Sequence, residues 1–345
     1  GGAKITKGKL RGVESYGMLC AASELGYDDK VSPFISKDGI WTLPGNWDEH
    51  LGEDFVEALG IRDYAIDFEI TPNRPDCLSM VGMAREAAAT FDGNLIYPEL
   101  ECEKTDENAS DYIQVEVKSD LCKRYTARVI KDVKIEQSPW WLQKRLMHAG
   151  MRPINNIVDI TNFVMLEYGQ PLHAFDIRQI RGGKIVVDTA KEGDVFTTLD
   201  GQERTLFDDT LMINDAEGPV AVAGIMGGLD SEIVEDTNTV VLESANFLGS
   251  SVRLSAKKLG MRTEASGRYE KGIDPNLCEA AADRVCKLIE ILGCGKVLNG
   301  SVDVYKNPET APTVTARVSR INRLLGTDLS REEMTAYLEK LEIKV

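Results

Sequence analysis

Histidine is scarce in this sequence, which contains three copies in 345 residues. No run of about 18 apolar residues occurs, so no segment is predicted to span a membrane. The seven cysteines form no C-x-x-C pair, and their odd number predicts reduced thiols in a cytoplasmic protein, not a disulfide framework or a zinc site. The net charge of −16 argues against DNA binding and non-specific nucleic-acid binding, because phosphate contact requires a basic surface.

Common enzyme motifs are also absent. The sequence has no G-x-x-x-x-G-K-[ST] phosphate loop, no G-x-S-x-G nucleophile elbow and no H-E-x-x-H zinc helix. Two of the histidines are weak candidates, since His50 lies in an acidic loop and His148 at a predicted helix end. His173 is the remaining histidine, and it follows a Gly-Gln-Pro segment at which a helix is expected to stop.

The apolar pattern predicts an α+β chain of several domains. The first 60 residues favour short strands and turns, and the acidic stretch 99–111 is typical of a linker. Helices are predicted at residues 80–91, 138–150 (capped by Ser138), 154–168, from 274 onward, and twice in the tail, where Ser330 and Glu333 form a capping box. Strands are predicted at residues 113–117 and 125–130 (as partners), 184–188, 211–213, 219–223 and 239–242.

Basic residues are concentrated locally in spite of the acidic average. Residues 253–271 contain six lysines and arginines against two glutamates, and a second cluster surrounds Lys144, Arg145 and Arg152. Such runs are usually solvated helix faces, although they can also contact phosphate.

Several polar residues interrupt hydrophobic patterns where sites are often built. His173 is expected in a loop, where a packed side chain and a functional one are equally consistent with the pattern. The glycine-rich run 223–228 predicts a turn that either binds an oxyanion or is purely structural. Glu243 ends a predicted apolar strand. Its carboxylate either caps the next turn or is partly buried and available to accept a hydrogen bond. Thr263 and Ala265 are expected in a basic loop, and on their own they would not indicate a site.

Five segments of the chain closely resemble the β subunit of bacterial phenylalanyl-tRNA synthetase. They are RGVESYGMLC (11–20), TPNRPDCLSMVGMAREAAA (71–89), VDITNFVMLEYGQPLHAFD (158–176), AVAGIMGG (221–228) and KKLGMRTEASGRYEKGIDP (257–275). The resemblance implies a fragment of a longer subunit. Its implied pieces are part of an OB-type tRNA-binding β-barrel domain (1–60), half of the B1 domain (61–105), the mixed αβ B3/B4 editing domain (106–305) and the start of a winged-helix-like B5 domain (310–345).

In this family, the B3/B4 domain hydrolyses tyrosine mistakenly attached to tRNA-Phe. By resemblance, Glu243 would accept the tyrosine hydroxyl, with backbone contact from the Gly227 region. Thr263 and Ala265 would line the pocket, the small Ala265 leaving room for the ring. The residues implied to face the terminal adenosine and the ester are Arg152, Thr161, Asn162 and His173.

No Ser or Cys nucleophile is apparent, so the hypothesis is direct attack by a water that His173 or Thr161 orients, with assistance from the ribose hydroxyl. The resemblance implies no metal or cofactor in this fragment, since ATP and magnesium serve the complete enzyme. The implied partners are tRNA-Phe and the α subunit in an assembly of two α and two β chains. The alternative is a non-catalytic scaffold for tRNA and the α subunit.

Overall fold

The computed structural model describes residues 5–27, 39–43 and 47–345. These fall into two compact units. The first unit combines residues 1–67 with 137–159, and the second unit combines residues 68–136 with 160–345. No helix in the described ranges combines the length and the apolar character needed to cross a membrane.

The chain alternates short strands with helices of up to four turns. The strands are β1 (Gly8–Leu10), β2 (Val13–Ser15), β3 (Gln114–Val117), β4 (Cys122–Lys131), β5 (Leu172–Asp176), β6 (Lys184–Thr189), β7 (Val195–Thr197), β8 (Glu203–Thr205), β9 (Leu211–Asn214), β10 (Pro219–Val222), β11 (Met226–Gly227), β12 (Val240–Phe247), β13 (Lys296–Val297) and β14 (Val302–Val304). The α-helices are α1 (Phe55–Ala58), α2 (Met80–Phe91), α3 (Trp140–His148), α4 (Asn156–Tyr168), α5 (Gly249–Lys258), α6 (Glu264–Tyr269), α7 (Leu277–Leu292), α8 (Val318–Leu325) and α9 (Arg331–Lys340). The predicted α+β class is therefore confirmed.

The first unit contains the antiparallel β1–β2 hairpin and helices α1 and α3. Residues 1–4, 28–38 and 44–46 of the predicted OB-type piece lie outside the described residues. The predicted Ser138 cap of α3 is wrong: Pro139 occupies the cap position and no side chain caps the helix. The Ser138 hydroxyl donates instead to Asp159, a fully buried carboxyl that requires a hydrogen-bond donor.

The second unit contains the two-stranded antiparallel sheet of β7 and β8 and two five-stranded sheets. One has the strand order β11-β10-β9-β6-β3, in which β3 and β6 are parallel and the other pairs antiparallel. The other is fully antiparallel, in the order β13-β4-β12-β5, with β14 also paired to β4. Helix α7 packs against β4 and β12. Buried side chains from both sheets, including Tyr125, Phe175, Ile185 and Val241, form one continuous core.

The predicted partnership of strands 113–117 and 125–130 is wrong. The first, β3, pairs with β6 in one sheet, and the second, β4, pairs with β12 in the other. Consecutive strands are often neighbours, but the partner depends on long-range packing that local pattern does not contain. The remaining predicted strands and the helix at 80–91 are confirmed, as is the reciprocal cap that Ser330 and Glu333 form at the start of α9.

Candidate functional site

A cleft in the second unit is lined by four of the eight site residues predicted from the sequence, namely His173, Gly227, Glu243 and Ala265. Its empty volume is about 410 Å³, open mouth included. The cleft is lined by Pro171, Leu172, His173, Ile213, Ala221, Val222, Ala223, Gly224, Ile225, Met226, Gly227, Glu243, Ala265 and Tyr269. Its walls are thus mainly apolar, and Glu243 and His173 are its ionisable groups apart from Tyr269.

Glu243 and His173 face each other across two paired strands. The antiparallel register of β12 and β5 places them directly opposite. Directly opposed residues project to the same face of a sheet, with their Cβ atoms about 5 Å apart. The predictions of a loop for His173 and a strand end for Glu243 are both wrong: His173 lies in β5, and Glu243 is the fourth residue of the eight-residue β12. All residues of β12 are buried, so a polar residue within it resembles a break in the pattern.

Glu243 is a buried carboxyl with one protein donor. It is 6% exposed, and its Oε2 accepts a hydrogen bond of 2.6 Å from the Tyr125 hydroxyl. Burial raises the pKa of Glu243 to about 7, against the opposing effect of the Tyr125 bond. Burial also raises the pKa of Tyr125 well above its usual value, so this hydroxyl stays protonated and donates. Within the described chain, the other oxygen, Oε1, has no hydrogen bond to protein.

His173 is a neutral imidazole at physiological pH. The residue as a whole is partly exposed, but its Nε2 atom is buried and has no hydrogen-bond partner among the described residues. Burial of the ring lowers the pKa of His173 to about 4, since the nitrogens that titrate are the buried part. The ring packs edge-on against Phe175, with 4.5 Å between ring centroids. A neutral ring can donate from one nitrogen and accept at the other.

The glycine-rich turn between β10 and β11 forms one wall of the cleft. A Cβ on Gly227 would lie 2.9 Å from His173 Cε1 and 3.0 Å from His173 Nε2, so only glycine lets the ring pack this closely. Gly224 has a φ of +68°, and a Cβ there would lie 2.9 Å from the Tyr269 ring. The predicted turn at 223–228 is confirmed, and its glycines let backbone and rings approach closely.

Helix α6 closes the cleft beside this turn. Thr263 is its N-cap and forms a reciprocal cap with Ser266. The Thr263 hydroxyl also donates to the Ile225 carbonyl at 3.0 Å, which ties α6 to the turn. Ala265 lines the cleft itself. The prediction of a loop around Thr263 and Ala265 is therefore wrong. Thr263 caps a short helix, Glu264–Tyr269, and Ala265 lies in its first turn.

The remaining predicted site residues do not line this cleft. Thr161 is buried in α4, Asn162 follows it in the same helix, and neither contributes to the lining. Arg152 is exposed and belongs to the first unit. The structure thus brings together Glu243, His173, Gly227 and Ala265, with Thr263 supporting the wall.

Sequence reasoning missed Tyr125 and Gln170. Tyr125 is fully buried in β4, where its pattern is that of an ordinary core aromatic. Gln170 is also fully buried, and its Nε2 donates to the Ala245 carbonyl at 2.7 Å, an oxygen that also accepts from the Tyr269 hydroxyl at 2.9 Å. The position of Gln170, where a helix is predicted to stop, was the one signal in the sequence. A buried amide usually makes all its hydrogen bonds, so it often joins two segments of a chain.

A metal is not favoured by the ligands that the cleft offers. Among the lining residues, Glu243 and His173 are the only side chains that commonly bind zinc. A typical catalytic zinc site has three protein ligands. In the described ranges, the one group of potential ligands close enough to hold an ion is Asp76, Cys77 and Glu86. Arg74 forms ion pairs with both carboxylates of that group, so a cation already occupies it.

The chemistry of the cleft is that of a selective pocket with one titratable acceptor. A carboxyl among apolar walls favours a ligand that is mostly apolar and carries one hydrogen-bond donor. No serine, threonine or cysteine is among the lining residues, so these offer no hydroxyl or thiol nucleophile.

Comparisons with known proteins agree on one family. The model of the B3/4 domain family matches residues 121–294, about half of the chain. The chain is 52% identical to the phenylalanine–tRNA ligase beta subunit of Clostridium tetani and of Clostridium acetobutylicum, over 99% of this chain and 42% and 43% of those proteins. It is 47% identical to the same subunit of Geobacter metallireducens, over 100% of this chain and 42% of that protein. The chain thus spans less than half the length of these relatives.

A solved structure is more distantly similar. An N-terminal fragment of the phenylalanyl-tRNA synthetase beta-subunit from Pyrococcus horikoshii aligns with a TM-score of 0.35 and 17% identity, over 78% of this chain and 74% of that chain. This likeness is too weak to bear on the site.

Proposed function

The chain belongs to the B3/4 domain family, and from this premise we propose that it is a segment of a phenylalanine–tRNA ligase beta subunit that hydrolyses tyrosine wrongly attached to tRNA-Phe. The observation that carries the proposal is the carboxyl of Glu243, buried in an apolar cleft with one oxygen bonded to Tyr125 and the other without a protein partner. A tyrosyl group would place its ring between the apolar walls and donate its hydroxyl to Glu243.

The buried carboxyl of Glu243 would allow the cleft to distinguish tyrosine from phenylalanine. Phenylalanine and tyrosine differ by one hydroxyl, and an apolar pocket rejects an added hydroxyl only weakly. A pocket built to accept a hydroxyl discriminates much better, because phenylalanine would leave the buried carboxyl unpaired. The apolar walls and the small Ala265 leave room for an aromatic ring beside that carboxyl.

His173 is proposed to act at the ester end of the substrate. Its neutral imidazole has a buried Nε2 without a protein partner, so that nitrogen can bond a water or a hydroxyl of the substrate. The reaction would be direct attack of a positioned water on the ester carbonyl carbon, with the ribose oxygen of tRNA leaving and taking up a proton. The Gly227 region would contribute backbone contact to the substrate.

The roles of Thr161, Asn162 and Arg152 remain predictions from the resemblance. They are proposed to face the terminal adenosine and the ester, with Thr161 as a second candidate for orienting water. Thr263 is proposed to maintain the pocket through its bond to the Ile225 carbonyl.

The wider setting is also proposed from the relatives. The complete enzyme would attach phenylalanine to tRNA-Phe in the cytoplasm, using ATP and magnesium, in an assembly of two α and two β subunits. Residues 1–60, 61–105, 106–305 and 310–345 would be parts of the OB-type, B1, B3/B4 and B5 domains. The second candidate function is a scaffold for tRNA and the α subunit without catalysis.

The decisive experiment compares hydrolysis of Tyr-tRNA-Phe and Phe-tRNA-Phe by this chain. We expect faster release of tyrosine, and loss of that preference in Glu243→Ala, with Glu235→Ala as the control because Glu235 is exposed. A folded chain that releases neither amino acid would favour the scaffold. A Glu243→Ala variant that keeps the wild-type preference would disprove the role of Glu243.

A further inference from the structure

A second groove shares helix α6 with the cleft. Its empty volume is about 1040 Å³, open solvent included. The groove is lined by Pro72, Arg253, Ala256, Lys257, Met261, Arg262, Ser266, Glu270 and Lys271. Four of these nine residues are cations and one is an anion, so the groove is basic on a chain whose net charge is −16.

The cations of the groove are only partly neutralised. Glu270 lies 3.5 Å from Arg262 and 3.8 Å from Lys271, so one carboxylate serves two cations. Arg253 and Lys257 are exposed and have no ion pair among the described residues. They stand four residues apart on α5, on one face of the helix, where like charges are mutually destabilising. An anion placed between them would relieve that repulsion.

Other basic residues of the same run are paired. Lys258 bonds Asp209 at 2.7 Å, and Arg268 bonds Glu264 at 2.7 Å. Both contacts lie outside the groove lining. The uncompensated charge of residues 253–271 is therefore concentrated where the groove lies, as for a site that receives an anion.

Helix α6 is a common wall of groove and cleft. Ala265 and Tyr269 line the cleft that contains Glu243, whereas Ser266 and Glu270 line the groove. A helix with its side chains is about 10 Å across, so an extended chain can occupy both at once.

We propose that this groove, formed by Arg253, Lys257, Arg262 and Lys271, binds the phosphodiester backbone of the RNA strand whose 3′-terminal aminoacyl nucleotide enters the cleft. The inference rests on the proposed function, because that function supplies a polyanion tethered to the group in the cleft. Phosphate contacts fix register and carry no sequence information, so the groove would position the strand while the cleft selects the amino acid.

The test compares a long and a short substrate. Hydrolysis of Tyr-tRNA-Phe and of the tyrosyl ester of adenosine, which has no phosphate, is measured with wild type, Arg253→Gln and Lys257→Gln. The matched control is Lys258→Gln, the adjacent lysine that lies outside the groove. We expect each groove variant to raise KM for Tyr-tRNA-Phe by roughly tenfold and to leave the adenosine ester unaffected. The dependence of log KM on log salt, from about 50 to 200 mM, should flatten by about one unit per lost contact.

Two outcomes overturn the inference. One is an unchanged KM and salt dependence for Tyr-tRNA-Phe, which would assign the basic groove to another anion such as an acidic protein segment. The other is an equal loss with both substrates, which would mean that the substitutions disturb the cleft itself. Fluorescence anisotropy with uncharged tRNA-Phe separates the two proposals, because it reports groove binding even if the chain hydrolyses no ester. Weaker binding in the groove variants alone supports the inference independently of the proposed activity.

Discussion

The Tyr125 hydroxyl donates to Glu243 Oε2 at 2.6 Å, inside a core where both side chains are nearly inaccessible to solvent. The residues belong to the neighbouring strands β4 and β12 and lie diagonally across their ladder. The bond fixes the direction of the carboxyl and favours its ionised form. Tyr125 is therefore a positioning residue for the proposed acceptor.

Replacing Tyr125 by Phe should raise the pKa of Glu243 above about 7, because the donor that favours the carboxylate is lost. A hydrogen bond to a charged group contributes about 1.5–3 kcal/mol, so the shift should be about one to two pH units. The pH profile of kcat/KM for Tyr-tRNA-Phe, corrected for spontaneous hydrolysis, should move to higher pH. Tyr112→Phe is the matched control, since Tyr112 bonds Glu107 away from the cleft. A merely structural role for Tyr125 would lower activity equally at every pH.

Replacing Glu243 by Gln should stabilise the second unit at alkaline pH. The pKa of Glu243 is raised from 4.5 to about 7 on folding, so the folded state keeps its proton more tightly and loses stability as pH rises through this window. The variant lacks this loss, and its advantage should reach up to about 3 kcal/mol near pH 8 and vanish near pH 4. Urea unfolding followed by circular dichroism is the measurement, because all four tryptophans lie in the first unit. Equal stability of the two proteins at alkaline pH would contradict the pKa assignment.

His173 should stay neutral well below the pH at which an ordinary histidine titrates. Burial lowers its pKa from 6.5 to about 4, so the unfolded state binds more protons in that window and stability falls with acidification. The ¹³C resonance of the His173 ring, assigned with His173→Gln, should be constant between about pH 8 and pH 5.5. A midpoint near the ordinary value would contradict the burial of the ring on which the lowered pKa depends.

Replacing Gly227 by Ala should displace the His173 ring, because the new Cβ would lie 2.9 Å from Cε1. Overpacking of this kind costs about 1–3 kcal/mol, and kcat/KM for Tyr-tRNA-Phe should fall by roughly tenfold or more. Gly267→Ala, in α6, is the matched control because a Cβ there meets nothing within 4 Å. The clash also predicts coupling: in a His173→Ala background, the Gly227 substitution should cost less stability, because only the 3.0 Å contact with Leu199 Cδ1 remains.

Sequence pattern predicted the elements with strong periodicity. Helix α2 begins and ends where expected because its apolar stripe has the helical period and Ser79 caps it. His173 was predicted in a loop because a Gly-Gln-Pro segment precedes it, whereas β5 begins at Leu172. Glu243 was misplaced within β12 because that strand lacks a clear period. Strands buried on both faces do not alternate, so a functional polar residue in one is indistinguishable from its end.

The candidate site was predictable only as separate residues. Motif resemblance named Glu243, His173, Gly227 and Ala265, but their convergence depends on the register of β5 against β12 and on the approach of α6. Tyr125 carried no local signal at all, since nothing in its strand distinguishes a bonded hydroxyl from a packed ring. The sequence shows the basic run 253–271, but it does not show which of these cations lack an ion pair beside the groove, because pairing depends on tertiary contacts.

The opposed placement of His173 and Glu243 ties the working parts of the cleft to the integrity of the sheet. A slip of one residue between β5 and β12 would send the two side chains to opposite faces. Glu243 itself stays in the interior even if an end of the edge strand β5 frays, because β12 lies between β4 and β5 with every residue buried. Amide hydrogen exchange at residue 243 should therefore require opening of the whole sheet, so the cleft persists or vanishes together with the fold of this unit.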